Sequence, residues 1–412
     1  MQLRHRTPLI AAGLTVAVAA IVAAPARAEN PTEVSSRLTL FREPSSQNKG
    51  ITVLHPQVDA NAPIAGGLGI AAGWEADAVS GATPAVSGPH TGVDAITTAT
   101  QFHDNREMVH GGFTYERPDA GIGASYAYGW ENDYRSHSLS ATTHDDLYDH
   151  NFTLALAYTH NWDSVCDANN SVAQSPLALV PLTSSAHCFS SSATDVVKHR
   201  LNIDAFEPSL AWTMTPRLVI QGGGTIQILD GFQSNPYRSV LVGSQHQEPQ
   251  EHEPLYRQRY ALFGRAAYAF PQWRASTLTM LRLYQDSWAM QAVTADMVVN
   301  KYISQSTLLS VRGHYHLQSG ASFYRDGEGY RVDGPAGQYW TGDRELSPMS
   351  NYLLGGRLAF LRRPHQERSS WFVEMEADVK YELLLYQLDS VNAPNYDRTY
   401  AHIVQASFAV RF

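Results

Sequence analysis

The sequence predicts an all-β protein, a transmembrane antiparallel up-and-down β-barrel. Three observations point there: an export signal at the N-terminus, a period of two through the rest of the chain, and a final alternating strand that stops at Phe412. Composition agrees. Only 17% of the 412 residues are charged, against roughly 25% in an ordinary soluble domain. Aromatics reach 10%, with 21 Tyr and 8 Trp. A single apolar stretch, residues 7–24, approaches the length of about 20 residues that a membrane helix needs, which excludes a multi-helix membrane protein. Hydrophobic content of 43% argues against disorder.

Residues 1–28 read as a cleaved signal peptide. Arg4 and Arg6 precede an uncharged Ala/Val-rich segment, and Ala26-Arg27-Ala28 supplies the small-x-small cleavage pattern before Glu29. No cysteine follows that site to carry a lipid. Cleavage removes three arginines and no acid, taking the net charge from −9 to −12. That sign disfavours nucleic acid as a partner. Export also permits Cys166 and Cys188 to pair, and a loop disulfide is expected between them rather than a metal or redox couple, since the spacing is unlike CxxC.

Residues i, i+2 and i+4 share one face of a strand, so alternation marks a sheet with one apolar and one polar side. The clearest case is 371–383: Val373, Met375, Ala377, Val379 and Tyr381 fall on one face, and Glu374, Glu376, Asp378, Lys380 and Glu382 on the other. Strands are expected near 33–43, 50–60, 67–78, 106–116, 120–131, 134–145, 150–161, 197–214, 217–229, 256–269, 275–286, 288–299, 303–317, 350–361, 369–383 and 399–412. That makes 16, with 14 or 18 as alternatives, in one barrel over 29–412. Connections after even strands are short and several after odd strands are long, as in outer-membrane barrels. Tight connections after 131 and 286 break that rule. Trp74, Trp130, Tyr158, Tyr268, Trp273, Trp371 and Phe412 sit at segment ends, where interfacial girdles form. No plug segment and no separate core-bearing domain is expected.

The last strand carries its own signal. Phe408, Val410 and Phe412 alternate with Ser407, Ala409 and Arg411. A terminal strand ending in an aromatic resembles the sorting signal of Gram-negative outer-membrane proteins, which implies the barrel-insertion machinery and outer-membrane lipid as partners.

Several segments resemble an uncharacterised family of Gram-negative outer-membrane barrels, known only as a domain of unknown function. They include Glu33-Val34-Ser35-Ser36-Arg37, Glu131-Asn132-Asp133-Tyr134, residues 231–238, Arg257-x-Arg259 and 284–288. Phe323-Tyr324-Arg325-Asp326 and Asp343-Arg344-x-Leu346-Ser347-Pro348 extend the match along the chain. The resemblance implies a full-length barrel and supplies no catalytic residues. It also implies a possible periplasmic redox or lipoprotein partner, because such proteins are often encoded beside these barrels.

A site in a pore would lie on the lumen face. By parity Arg200, Arg257, Arg259 and Arg265 form a basic wall, and Glu374, Glu376 and Asp378 an acidic one, which together would set up a transverse field. Asp204 is placed inward on the same reading. About 16 strands enclose a lumen too wide for side chains alone to fill. His314 and His316 share a strand face and form a candidate metal pair; solvated polar residues on a wet face are the alternative. The acidic loop Gln245–Pro254, with His246 and His252, could sample metal ions loosely. No cofactor is expected. Ser, His and Asp are plentiful, yet none has a nucleophile context such as G-x-S-x-G, so an enzyme is not expected. The expected function is a passive or partner-gated conduit for a small polar or ionic solute. A non-conducting scaffold for a redox or metal-handling partner, and an outer-membrane hydrolase, are the alternatives.

Overall fold

The computed structural model describes residues 31–44, 50–81, 102–183, 188–191, 193–243, 247–325, 330, 338–363 and 372–412 apart from 389–397. The signal peptide, Trp371 and His246 lie outside them. Sixteen antiparallel strands close into a single barrel, each paired with its sequence neighbours, and the first with the last. They are β1 Glu33–Glu43, β2 Ile51–Ala65, β3 Leu68–Gly81, β4 Phe102–Glu116, β5 Ala120–Trp130, β6 Tyr134–Leu147, β7 Phe152–Ala168 and β8 Val196–Thr215. There follow β9 Leu218–Gly231, β10 Tyr256–Phe270, β11 Ala275–Asp286, β12 Gln291–Tyr302, β13 Thr307–Gln318, β14 Met349–Arg362, β15 Glu374–Leu388 and β16 Arg398–Arg411. All sixteen expected segments are strands. Several run past the alternating stretch, β7 to Ala168 for instance, because ladder hydrogen bonds continue where lipid no longer imposes an apolar face.

Closure removes every sheet edge, which is the condition for strands to cross hydrocarbon with no backbone group unsatisfied. Val34 on β1 opposes Val410 on β16, and Phe412 donates its backbone N–H to the Thr32 carbonyl. Phe408 and Val410 therefore sit in the closing seam, with Phe408 and Phe412 turned outward and exposed. The outer wall is apolar, with Phe113, Leu154, Leu262, Leu354, Val379 and Phe360 all exposed on it. Aromatics including Trp162, Trp212, Trp273 and Tyr400 are exposed on that face as well.

The two rims differ. At the rim with both chain ends, hairpins close at 66–67, 117–119, 148–151, 216–217, 271–274 and 303–306. Gly67 shows what so tight a turn needs: it has φ +85°, its carbonyl accepts from Glu116 N–H, and a Cβ there would collide with the Glu116 carbonyl oxygen. The opposite rim carries the connections 169–195, 232–255 and 319–348, besides the two tight ones at 131–133 and 287–290.

Those long connections carry buried apolar clusters of their own. Among the described residues, Trp288, Met290, Phe323, Tyr324 and Leu346 pack into one buried apolar cluster. Val240, Val242, Tyr330 and Trp340 make a second. Cys166 and Cys188 are joined in a disulfide with Cα atoms 6.1 Å apart, and pack with Leu182 in a third. The barrel's apolar side chains face out, so these clusters are a separate folded cap at the mouth.

Candidate functional site

The lumen face follows from strand parity, and on β10 it carries Arg257, Arg259, Ala261, Phe263 and Arg265. Their neighbours on β11 are Asp286, Tyr284, Arg282 and Met280, since Arg259 opposes Asp286 and Arg265 opposes Met280. Arg257 is a clamp more than a free charge. Its Nε donates to Asp286 Oδ2 at 2.9 Å and its guanidinium lies 4.0 Å from the centre of the Trp288 ring. Asp286 Oδ1 accepts from the backbone N–H of Trp288 and of Met290, which shapes the tight connection of residues 287–290. That hairpin is anomalous by the loop-length rule; in the fold it is the floor of the first apolar cluster.

Arg259, Arg265 and Arg282 differ. No carboxylate among the described residues lies within ion-pair distance of any of them. Arg259 donates one bond, to Gln227 Oε1 at 3.2 Å, and its buried Nε has no acceptor. Arg282 rests on the Tyr284 ring and Arg265 on the Phe263 ring.

The acids of β15 are compensated. Glu374 meets Arg411 and Arg363, Glu376 and Asp378 share Arg357, and Glu382 takes Lys380 and Arg312. They also stand elsewhere. β10 descends from the long-loop rim and β15 ascends from the other, so Arg257 and Arg259 lie at one end of the lumen and Glu374, Glu376 and Asp378 towards the other. The expected pair of opposed walls at one constriction is thus not what the structure places here.

Arg200 and Asp204 are corrected too. Both point outward: Asp204 accepts from Tyr158 on the outer wall at 2.6 Å and meets His160 at 2.8 Å. The inward side of that stretch is apolar, with Leu201 packed against Val165 and Leu229 beneath the cap. Alternation is inverted there because the cap's core fills the lumen end, while the outer side has risen above the apolar band.

His314 and His316 share the inward face and point to different partners. His314 Nδ1 meets Asp296 at 3.1 Å, and His316 bonds Thr294 at 2.8 Å and Gln318 at 3.1 Å. Among the described residues no three His, Cys, Asp or Glu side chains gather as a metal cage. In the acidic loop Glu251 and Glu253 are buried, not solvated.

The cap is tied together by polar contacts that the sequence did not reveal. Glu251 accepts from Arg238 at 3.1 Å, from Asn235 N–H at 2.9 Å and from Gly342 N–H at 3.0 Å. Gln250 donates to Asp167 at 2.7 Å, and Trp340 Nε1 donates to Gln250 O at 2.8 Å. Arg344 grips the fully buried Glu43 with two bonds, at 2.7 and 2.8 Å. The connections 232–255 and 319–348 are thereby joined to each other, to the end of β7 and to the top of β1. Burial, with Glu251 and Asp343 nearby, holds the Glu253 carboxyl well above the usual range; burial and Asp343 raise Glu345.

A match to a family model, described as "Protein of unknown function (DUF3570)", spans residues 8–359. The chain belongs to the DUF3570 family. No curated protein matches it by sequence. Among solved structures it is similar to a bacterial polysaccharide outer membrane secretin, at 10% identity, TM-score 0.49, covering 94% of this chain and 100% of that one. It is also similar to the siderophore receptor PirA from Acinetobacter baumannii, at 9% identity and TM-score 0.43, over 88% of this chain and 53% of the receptor. The chain thus spans about half the length of that receptor. The CymD monoaromatic hydrocarbon channel gives 9% identity and TM-score 0.39, over 93% and 89% of the two chains.

Proposed function

We propose that this DUF3570 protein is an outer-membrane conduit for a small polar or ionic solute, with its long-loop rim at the cell surface and the folded cap over its mouth. The observation that carries this is a sixteen-strand lumen whose wall presents Arg259, Arg265 and Arg282 with no carboxylate at ion-pair distance among the described residues. Barrels of eight strands fill with side chains; those of 16 to 18 leave an aqueous channel. Arginines that are not neutralised by the wall are available to a passing charge. The compensated acids of β15 add polarity with little net field.

Planar-bilayer recording tests this. Purified folded barrel should conduct with a preference for anions, and the double variant Arg259→Glu, Arg265→Glu should move the reversal potential toward cation preference. Arg257 is left in place, because its clamp on Asp286 supports the fold of the rim. A folded barrel that stays silent, both intact and with its cap released by Arg344→Met, would overturn the conduit.

A further inference from the structure

Under the cap lies a cavity of about 370 Å³, lined by Arg259, Arg282, Tyr284, Trp288, His316 and Gln318 among others. Sites for small molecules run upward from about 300 Å³. The cavity is roofed by cap residues Glu253, Asp343 and Glu345. We propose that it is a binding site for a small polyanion, held through carboxylate or phosphate oxygens by Arg259 and Arg282. The proposal rests on the conduit reading for its purpose, but not for its geometry.

A guanidinium has five N–H donors in a fork that matches two oxygens of a carboxylate or phosphate. Arg259 uses one of them, on Gln227. Its Nε is buried and has no acceptor among the described residues, so a single donor of this cavity-lining guanidinium is met. Arg282 is pre-positioned on the face of Tyr284, and that ring is fixed in turn by its hydroxyl, which donates to Asp286 at 2.8 Å. Arg282 stands four residues along β11 from Asp286, the residue opposite Arg259. At the antiparallel rise that is about 13 Å between backbone rows. Two long side chains approaching from such rows suit a ligand with more than one anionic group.

The roof does not cancel them. Asp343 is engaged, accepting Glu345 N–H at 2.9 Å and facing Arg238 at 3.6 Å. Glu253 and Glu345 have their neutral forms favoured by burial and by neighbouring acids. His316 and Gln318 add polar groups on the β13 side.

Titration calorimetry on the folded barrel in neutral detergent, with chloride as background, tests the site. Citrate is the carboxylate probe and pyrophosphate the phosphate probe. Saturable binding of either, weakened roughly tenfold or more by Arg259→Gln and again by Arg282→Gln, is the expected result. The probe that binds more tightly names the chemistry. Arg259→Lys and Arg282→Lys serve where a glutamine variant fails to fold, and should weaken binding less. Absence of binding by both probes, or binding indifferent to both arginines, would overturn the site. A barrel that binds but never conducts would overturn the conduit alone, and one that conducts without binding would overturn the site alone.

Discussion

Replacing Arg344 with methionine is expected to release the cap while the barrel stays closed. Glu43 is wholly buried at the top of β1, and Arg344 is its one ion-pair partner among the described residues. Removing one member of a buried pair leaves an uncompensated charge and costs about 3–5 kcal/mol. That cost falls on the connection 319–348, which Arg344 carries past β15 and β16 to reach β1. None of the barrel ladders uses this pair. Chymotrypsin cleavage of folded protein within 319–348 and 232–255 should therefore accelerate on the order of a hundredfold or more. Heat-shifted migration on gels should stay unchanged. The double variant Glu43→Gln, Arg344→Met removes the stranded charge as well and should recover much of the protection. Equal cleavage of Arg344→Met and wild type would mean that this pair does not hold the cap.

The barrel is legible in the sequence because lipid enforces a period of two. Every strand that crosses the apolar band shows it, β15 most of all, where Val379 and Tyr381 are exposed and Asp378 and Glu382 are buried. The site is legible only by face. Parity puts Arg257, Arg259 and Arg265 inward, and so they are, but parity carries no height. Strand direction supplies it: Arg259 lies near the start of a descending strand and Glu374 at the start of an ascending one, which sets them at opposite ends. The rule then inverts at Arg200 and Asp204, where a cap core replaces water inside and the lipid band has ended outside. Arg282 escapes a reading by parity because β11 alternates weakly: Thr277 and Thr279 share its outward face with Leu281 and Leu283. The cap itself leaves no periodic trace. Its contacts join residues far apart in sequence, such as Gln250 with Asp167 and Arg344 with Glu43, through hydrogen bonds that obey no spacing.

Wild-type cap is expected to loosen as pH rises, and Glu253→Gln to abolish that dependence. The Thr341 hydroxyl lies within bonding distance of both Glu251 and Glu253, and has one proton to give. Glu251 is the member already supplied with donors, since Arg238 and the backbone N–H groups of Asn235 and Gly342 all point at it. A neutral Glu253 donates its own proton to the Thr341 oxygen and completes the chain. An ionised one faces Glu251 and Asp343 in a buried setting, with Arg238 already committed. Burial first, then those two acids, therefore raise its folded pKa well above 4.5. A carboxyl raised on folding binds more protons folded than unfolded across that window. Its penalty is absent below the ordinary value of 4.5 and grows until pH passes the raised one. Within the window the open fraction of the cap should climb by up to about tenfold per pH unit. Glutamine keeps an N–H for the Thr341 oxygen and cannot ionise, so its curve should be flat. Cleavage within 232–255 between pH 5 and 8, with Glu253→Gln correcting for the protease's own pH profile, reads the difference. Parallel curves for the two proteins would remove Glu253 from any control of the cap. Divergence on the alkaline side would make the mouth of this barrel tighter in acid than in base.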